Sequence, residues 1–122
     1  MAKKEIQKII VIGSNSFSAG SLIDLLLAKK FKVYGISRSK LNNKKFLRFD
    51  HQNKNFIFKK LDLNKDHNKI ITLIKKVKPA YIINFASQSM VGQSWDAASD
   101  WFYTNSFSTV KLYDSISKIK DK

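Results

Sequence analysis

The 122-residue sequence predicts an α/β fold, a doubly wound parallel sheet of the Rossmann type. Three observations carry that expectation. Short β-branched apolar runs alternate with stretches of helical period. The runs are apolar throughout rather than at every second residue, as strands covered on both faces are. A turn of small residues, Gly13-Ser14-Asn15-Ser16-Phe17-Ser18-Ala19-Gly20, joins the first run to the first helical stretch.

Residues 7–12 (Gln-Lys-Ile-Ile-Val-Ile) form the first strand, stopped at Gly13. In 19–30, Ala19, Leu22, Ile23 and Leu26 repeat at helical spacing, and Lys29 and Lys30 fall in the last turn, where cations suit the helix dipole. Residues 31–36 read as the second strand, 37–55 as a polar, lysine-rich irregular segment, and 56–61 as the third strand. Asn64 or Asp66 is positioned to cap a helix with the stripe Ile70, Ile74 and Val77, which ends with Lys75, Lys76 and Lys78 before Pro79. Residues 80–85 form a fourth strand and 86–95 a polar loop. A last helix spans about 100–118, its inward stripe being Trp101, Asn105, Thr109, Leu112, Ile116 and Ile119. The order β-α-β-β-α-β-α, with no repeat and no linker, describes one domain.

Composition narrows the function. A 43% apolar and 12% aromatic content excludes a disordered tail. No apolar run reaches the ~20 residues of a bilayer span, so no membrane partner is expected. With no cysteine, disulfide scaffolds and thiolate metal sites are excluded, and a cytoplasmic location is the default expectation. The net charge of +14 invites a nucleic-acid reading, but 21 of the 23 cations are lysine, dispersed along the chain, and only Arg38 and Arg48 carry the fork that reads phosphate and guanine. Nucleic acid is therefore not the expected partner. His51 and His67 lack metal-ligand spacing and are expected at the surface, and Trp95 and Trp101 are expected to pack.

The first turn is the candidate site. A small-residue turn between a buried strand and a helix exposes unpaired N–H groups at the positive end of the helix dipole, where a diphosphate binds. In the spacing Gly-x-x-Gly-x-x-Gly the positions are Gly13, Ser16 and Ala19. Ser16 places a side chain beside the diphosphate but offers a hydroxyl; the alternative is a serine turn that only caps its helix. At the end of the second strand stand Ser37, Arg38 and Ser39 rather than an acid, a set suited to a 2′-phosphate, which tilts the choice between NAD and NADP towards NADP. Asp62 and Leu63 close the third strand.

With Asp62-Leu63, the stretch Asn84-Phe85-Ala86-Ser87-Gln88-Ser89-Met90-Val91 and the pair Thr104-Asn105, the sequence resembles the N-terminal half of an extended short-chain dehydrogenase/reductase. Within that group it is most similar to the sugar-nucleotide epimerase/dehydratase family, in particular the dTDP-glucose and GDP-mannose 4,6-dehydratases. The resemblance implies that Gly13, Ser16, Phe17 and Ser18 hold the pyrophosphate, and Ser37, Arg38 and Ser39 the adenosine ribose. It implies that Asp62 and Leu63 take the adenine, and that Phe85, Ala86, Ser87, Gln88 and Ser89 pass beneath the nicotinamide half. Ser89 would also lie near the nucleotide-sugar substrate, and Thr104 and Asn105 would approach the cofactor. A homodimer through the last helix and its successor is common in the family, and the oligomeric state is left open here. The family's Tyr-x-x-x-Lys pair does not occur in these 122 residues. Residues 1–122 are thus expected to be part of an NAD(P)-binding domain, with no catalytic residue among them and no dehydratase turnover on their own. A non-catalytic dinucleotide-binding or subunit-pairing module is the alternative.

Overall fold

The structure, a computed structural model, describes residues 5–86 and 95–119. Four parallel strands, β1 (Lys8–Ile12), β2 (Lys32–Ser37), β3 (Phe56–Lys60) and β4 (Tyr81–Asn84), form one sheet in the order β3-β2-β1-β4. The chain order reverses between β1 and β4, which makes the end of β1 the topological switch point of a Rossmann-like sheet. Register pairs Ile10 with Tyr34 and Ile82, and Ile12 with Ile36 and Asn84.

Side chains of a strand point alternately to opposite faces, and β1 supplies both cores. Ile9 and Val11 pack with Val33, Phe56 and the inner face of α1 (Phe17–Ala28), namely Ala19, Ile23, Leu26 and Leu27. Ile10 and Ile12 pack on the other face with Ile36, Leu63, Leu112 and the α2 (His67–Val77) stripe Ile70, Ile74 and Val77. The last helical region comprises α3 (Ala98–Phe102), a π-helical segment (Tyr103–Ser108) and α4 (Thr109–Ser117).

Several local expectations are corrected. The first helix begins at Phe17, earlier than residue 19, because the Ser16 hydroxyl accepts the Ala19 N–H at 3.2 Å and caps it. It also ends earlier, at Ala28, so Lys29 is its C-cap and Lys30 lies beyond in a left-handed conformation at φ 68°. Asp66 occupies the N-cap position of α2 without capping it: its carboxylate instead accepts the Asp62 N–H at 2.8 Å. The helix is stopped by Lys78, left-handed at φ 52°, one residue before Pro79. The segment 38–55 is irregular apart from a single 3₁₀ turn (Lys44–Phe46), yet it is packed. Phe49 is buried edge-on against Phe56 at 4.6 Å, with Leu41 and Leu47 against the same core.

In the last helix the expected inward stripe holds at Leu112, Ile116 and Ile119, which face the core, and is displaced before them. The buried residues are Thr104, Ser108 and Leu112, with Trp101, Asn105 and Thr109 only half-buried. The π segment widens the turn, and the Thr109 hydroxyl donates to the Thr104 carbonyl at 3.0 Å, five residues back. Trp95 is 84% exposed rather than packed, while His51 and His67 are half-buried rather than on the open surface. The polar loop expected at 86–95 lies mostly outside the described residues, as do Ser87, Gln88 and Ser89.

Candidate nucleotide-binding site

At the carboxyl ends of the strands a cleft of about 230 Å³ opens. It gathers Gly13, Asn15 and Ser16 from the first turn, Ser37, Arg38 and Ser39 from the end of β2, and Asp62, Leu63 and Asn64 from the end of β3. Phe85 and Ala86 follow β4, and Thr104 comes from the π segment. A larger hollow of about 820 Å³ lies elsewhere, beside the start of β4, between Pro79, Tyr81 and the ends of α2 and α4. Size favours that hollow, but the smaller cleft sits at the switch point and holds the donors and acceptors that make a site.

The first turn is built by the backbone. The N–H groups of Gly13 and Ser14 both donate to the Ile36 carbonyl, at 2.7 and 3.0 Å, and the Ser16 N–H donates to the Gly13 carbonyl at 3.1 Å. Gly13 has φ +79°, and a Cβ there would stand 2.6 Å from the Phe85 carbonyl carbon and the Ala86 nitrogen. Glycine is therefore required twice over, by conformation and by the close approach of the chain leaving β4. Gly35 in β2 is required by space alone, since its Cβ would meet Phe56 and Ser14 at 2.9–3.0 Å.

Among the described residues, no hydrogen bond uses the N–H of Phe17 or Ser18, the first two residues of α1. These are the orphan donors of a helix start, facing an N-terminal turn without acidic residues. The Ser16 hydroxyl accepts from Ala19 yet retains its own proton for donation, so capping and ligand binding are compatible. Ser14 is buried behind the turn, and the Phe17 ring, 70% exposed, lies against Arg48 rather than in the cleft. The turn is thus not closed by its own side chains. Phe17, Ser18 and Asn105 do not line the cleft; Phe17 and Ser18 are the first two residues of the helix that follows the lining residue Ser16.

Two contributors, Asn15 and Asn64, were not singled out as site residues by the sequence. Asn15 ties the turn to the chain after β2, its amide donating to Ser39 Oγ at 3.0 Å and the Lys40 carbonyl at 2.8 Å. Asn64 clamps the last helix: its amide donates to Thr104 Oγ1 at 2.8 Å, while its carbonyl accepts from Ser108 Oγ at 2.6 Å. Asn64 directly follows Asp62-Leu63 at a strand's carboxyl end, the one sequence signal that pointed towards it. Asp62 Oδ1 accepts the Asn64 N–H at 2.8 Å, which orients that carboxylate at the cleft wall. Among the described residues no cluster of histidines and acids has the makings of a metal site, and no helix is long and apolar enough to cross a membrane.

A parallel sheet in this order, with its cleft at the switch point and a small-residue turn after β1, is the architecture of the dinucleotide-binding Rossmann fold. Solved structures with this fold include the UDP-Glc/GlcNAc 4-epimerase of Campylobacter jejuni, with a TM-score of 0.78 at 18% identity over 92% of this chain and 34% of that one. The UDP-glucose 4-epimerase of Brucella ovis, solved with NAD, gives 0.73 at 19% identity over 89% of this chain and 31% of that one. The model of the GDP-mannose 4,6-dehydratase family matches residues 10–122, and the chain belongs to that family. The GDP-mannose 4,6-dehydratase of Vibrio cholerae is 28% identical over 119 residues, covering 90% of this chain and 31% of the relative. The chain thus spans about a third of the length of the relatives it matches.

Proposed function

We propose that these residues bind NAD or NADP as the dinucleotide-binding part of a nucleoside-diphosphate-sugar 4,6-dehydratase or epimerase. The observation that carries this reading is the convergence of the first turn and the ends of β2 and β3 on one cleft at the switch point. The donor set fits a dinucleotide: unpaired N–H groups of Phe17 and Ser18 with the Ser16 hydroxyl for the diphosphate, and hydroxyls and a guanidinium at 37–39 for the ribose. Asp62 and Leu63 take the adenine, and Phe85, Ala86, Ser87, Gln88 and Ser89 carry the nicotinamide half, with Ser89 also towards the nucleotide sugar. Thr104 completes the wall from the last helix, and Asn105, next to it and outside the cleft lining, approaches the cofactor from the same helix.

Held by these residues, the coenzyme would supply hydride exchange with the sugar. The chain's own part is to bind and orient that coenzyme, since no Tyr-x-x-x-Lys acid/base pair lies among these residues. NADP is the preferred form in this reading, because the second strand ends in Ser37 and Arg38 and no acid stands where it would repel a 2′-phosphate.

Calorimetric titration of the 122-residue chain with NADH and NADPH tests both levels. Binding of both, with NADPH tighter and that advantage lost in Arg38→Ala, is the expected result. Heat from neither coenzyme overturns the dinucleotide reading; NADH binding as well as NADPH overturns the NADP preference alone.

A further inference from the structure

Of 23 cationic side chains only two are arginines, and both stand around the first turn. Arg38 lines the cleft, whereas Arg48 reaches the other side of the turn from the lysine-rich segment, its guanidinium carbon 3.7 Å from the centre of the Phe17 ring. We propose that Arg48 is a second cationic ligand of the dinucleotide's diphosphate, held at the start of α1 by a strap formed by residues 38–49. The inference rests on the dinucleotide reading above and adds to it a residue outside the motifs that carry the resemblance.

The strap is fixed on both sides of Arg48. Before it, the Asn15 amide donates to the Lys40 carbonyl at 2.8 Å and the Asn42 amide donates to the Asn15 carbonyl at 3.1 Å. After it, Phe49 is buried against Phe56. Stacking on Phe17 leaves the guanidinium's edge donors unused, because the ring takes only its face.

Electrostatically the position is unfavourable without an anion. Arg48 lies over the first residue of a helix, at the positive end of the dipole, and that first turn has no acidic residue. Among the described residues the ion pairs are Lys69–Asp66 and Lys118–Asp114, so neither arginine is neutralised by a carboxylate. The Ser14 hydroxyl points independently to a missing acceptor. It is 1% exposed, has no hydrogen-bond partner, and lines the same hollow as Phe17 and Arg48. That hollow is about 30 Å³, the space of one water molecule or one phosphoryl oxygen. Helix start, guanidinium and buried hydroxyl thus border one small hollow without a carboxylate, and a negative group beside it would answer all three. The diphosphate is favoured over the 2′-phosphate because Arg48 is seated on α1, whereas Arg38 is seated on the end of β2.

The test measures NADH and NADPH binding to the whole chain by calorimetry at low and high salt. Arg48→Gln should weaken both coenzymes by about tenfold, the size of one charge-assisted contact, with the NADPH-to-NADH ratio unchanged. Its binding should also depend less on salt than that of the parent, a readout that a packing role does not move. Arg48→Lys should recover part of the loss by restoring the charge without the flat stack. Both substitutions fall on an exposed side chain, and circular dichroism of each variant checks the fold. Affinities of Arg48→Gln within about twofold of the parent, or a loss confined to NADPH, overturn the assignment. A parent chain that binds neither coenzyme overturns the dinucleotide reading itself, and this inference with it.

Discussion

Gly13 and Phe85 approach so closely that a β-carbon on the glycine would stand 2.6 Å from the phenylalanine's carbonyl carbon. The contact locks the turn after β1 to the chain leaving β4, the two segments that flank the switch point. Gly13→Ala must therefore both adopt φ +79° and push the β4 exit away. A loss of at least about 2 kcal/mol of stability is expected, read from urea unfolding, together with loss of coenzyme binding.

Asn64 is the clamp of the last helix. Removing its amide in Asn64→Ala leaves the hydroxyls of Thr104 and Ser108, 7% and 2% exposed, without their partner. The expected cost is about 2 kcal/mol. Asn64→Asp should lose less, because a carboxylate still accepts from Ser108 and can accept from Thr104 once that hydroxyl turns to donate. Equal midpoints for the parent and Asn64→Ala in chemical denaturation would show that the clamp contributes nothing.

His67 makes the docking of α4 on α2 sensitive to pH. Its Nε2 is 3.0 Å from Ser115 Oγ and its Nδ1 is buried without a partner. Desolvation, and secondly the charge of Lys111, hold the imidazole pKa below its ordinary 6.5. The unfolded chain therefore takes up the proton first, so stability is full above the ordinary pKa and falls as the pH drops through it. The fall levels off once the folded-state pKa is passed. Unfolding midpoints followed between about pH 5 and pH 8 should show this slope in the parent and a flatter profile in His67→Gln.

Two lysines stand where glycine is favoured. Lys30 after α1 and Lys78 after α2 have φ of 68° and 52°. The left-handed conformation costs a side-chain-bearing residue about 1 kcal/mol, part of which glycine returns as unfolded-state entropy. Lys30→Gly and Lys78→Gly are each expected to raise stability by a few tenths to about 1 kcal/mol, seen as a higher thermal midpoint.

Much of the fold was legible because β1, β2 and the stripe of α2 are patterned by burial itself. Ile9 to Ile12 are apolar at every residue since both sheet faces are covered, and Ile70, Ile74 and Val77 share one helix face. The cleft's outline was legible for the same reason, since a parallel sheet fixes where Gly13, Arg38, Asp62 and Phe85 must meet. Phe17 and Ser18, expected from the turn's spacing, stand outside the cleft lining at the start of α1.

What sequence periodicity could not supply were contacts between segments far apart in the chain. The phase of the first half of the last helix is set by a π segment whose Thr104 and Ser108 answer to Asn64, some forty residues earlier, so a regular 3.6-residue count placed Leu112, Ile116 and Ile119 correctly but turned Trp101, Asn105 and Thr109 inward in place of Thr104 and Ser108. The segment 38–55 looks solvated by composition, yet Phe49 anchors it and sets Arg48 on Phe17. By itself the sequence determined the strands, their parallel order and the turn that opens the cleft, because each follows from local burial pattern and chain chirality. Only the tertiary structure decided which polar side chains close around that turn, because the partners that satisfy a buried amide or a guanidinium are brought together by folding.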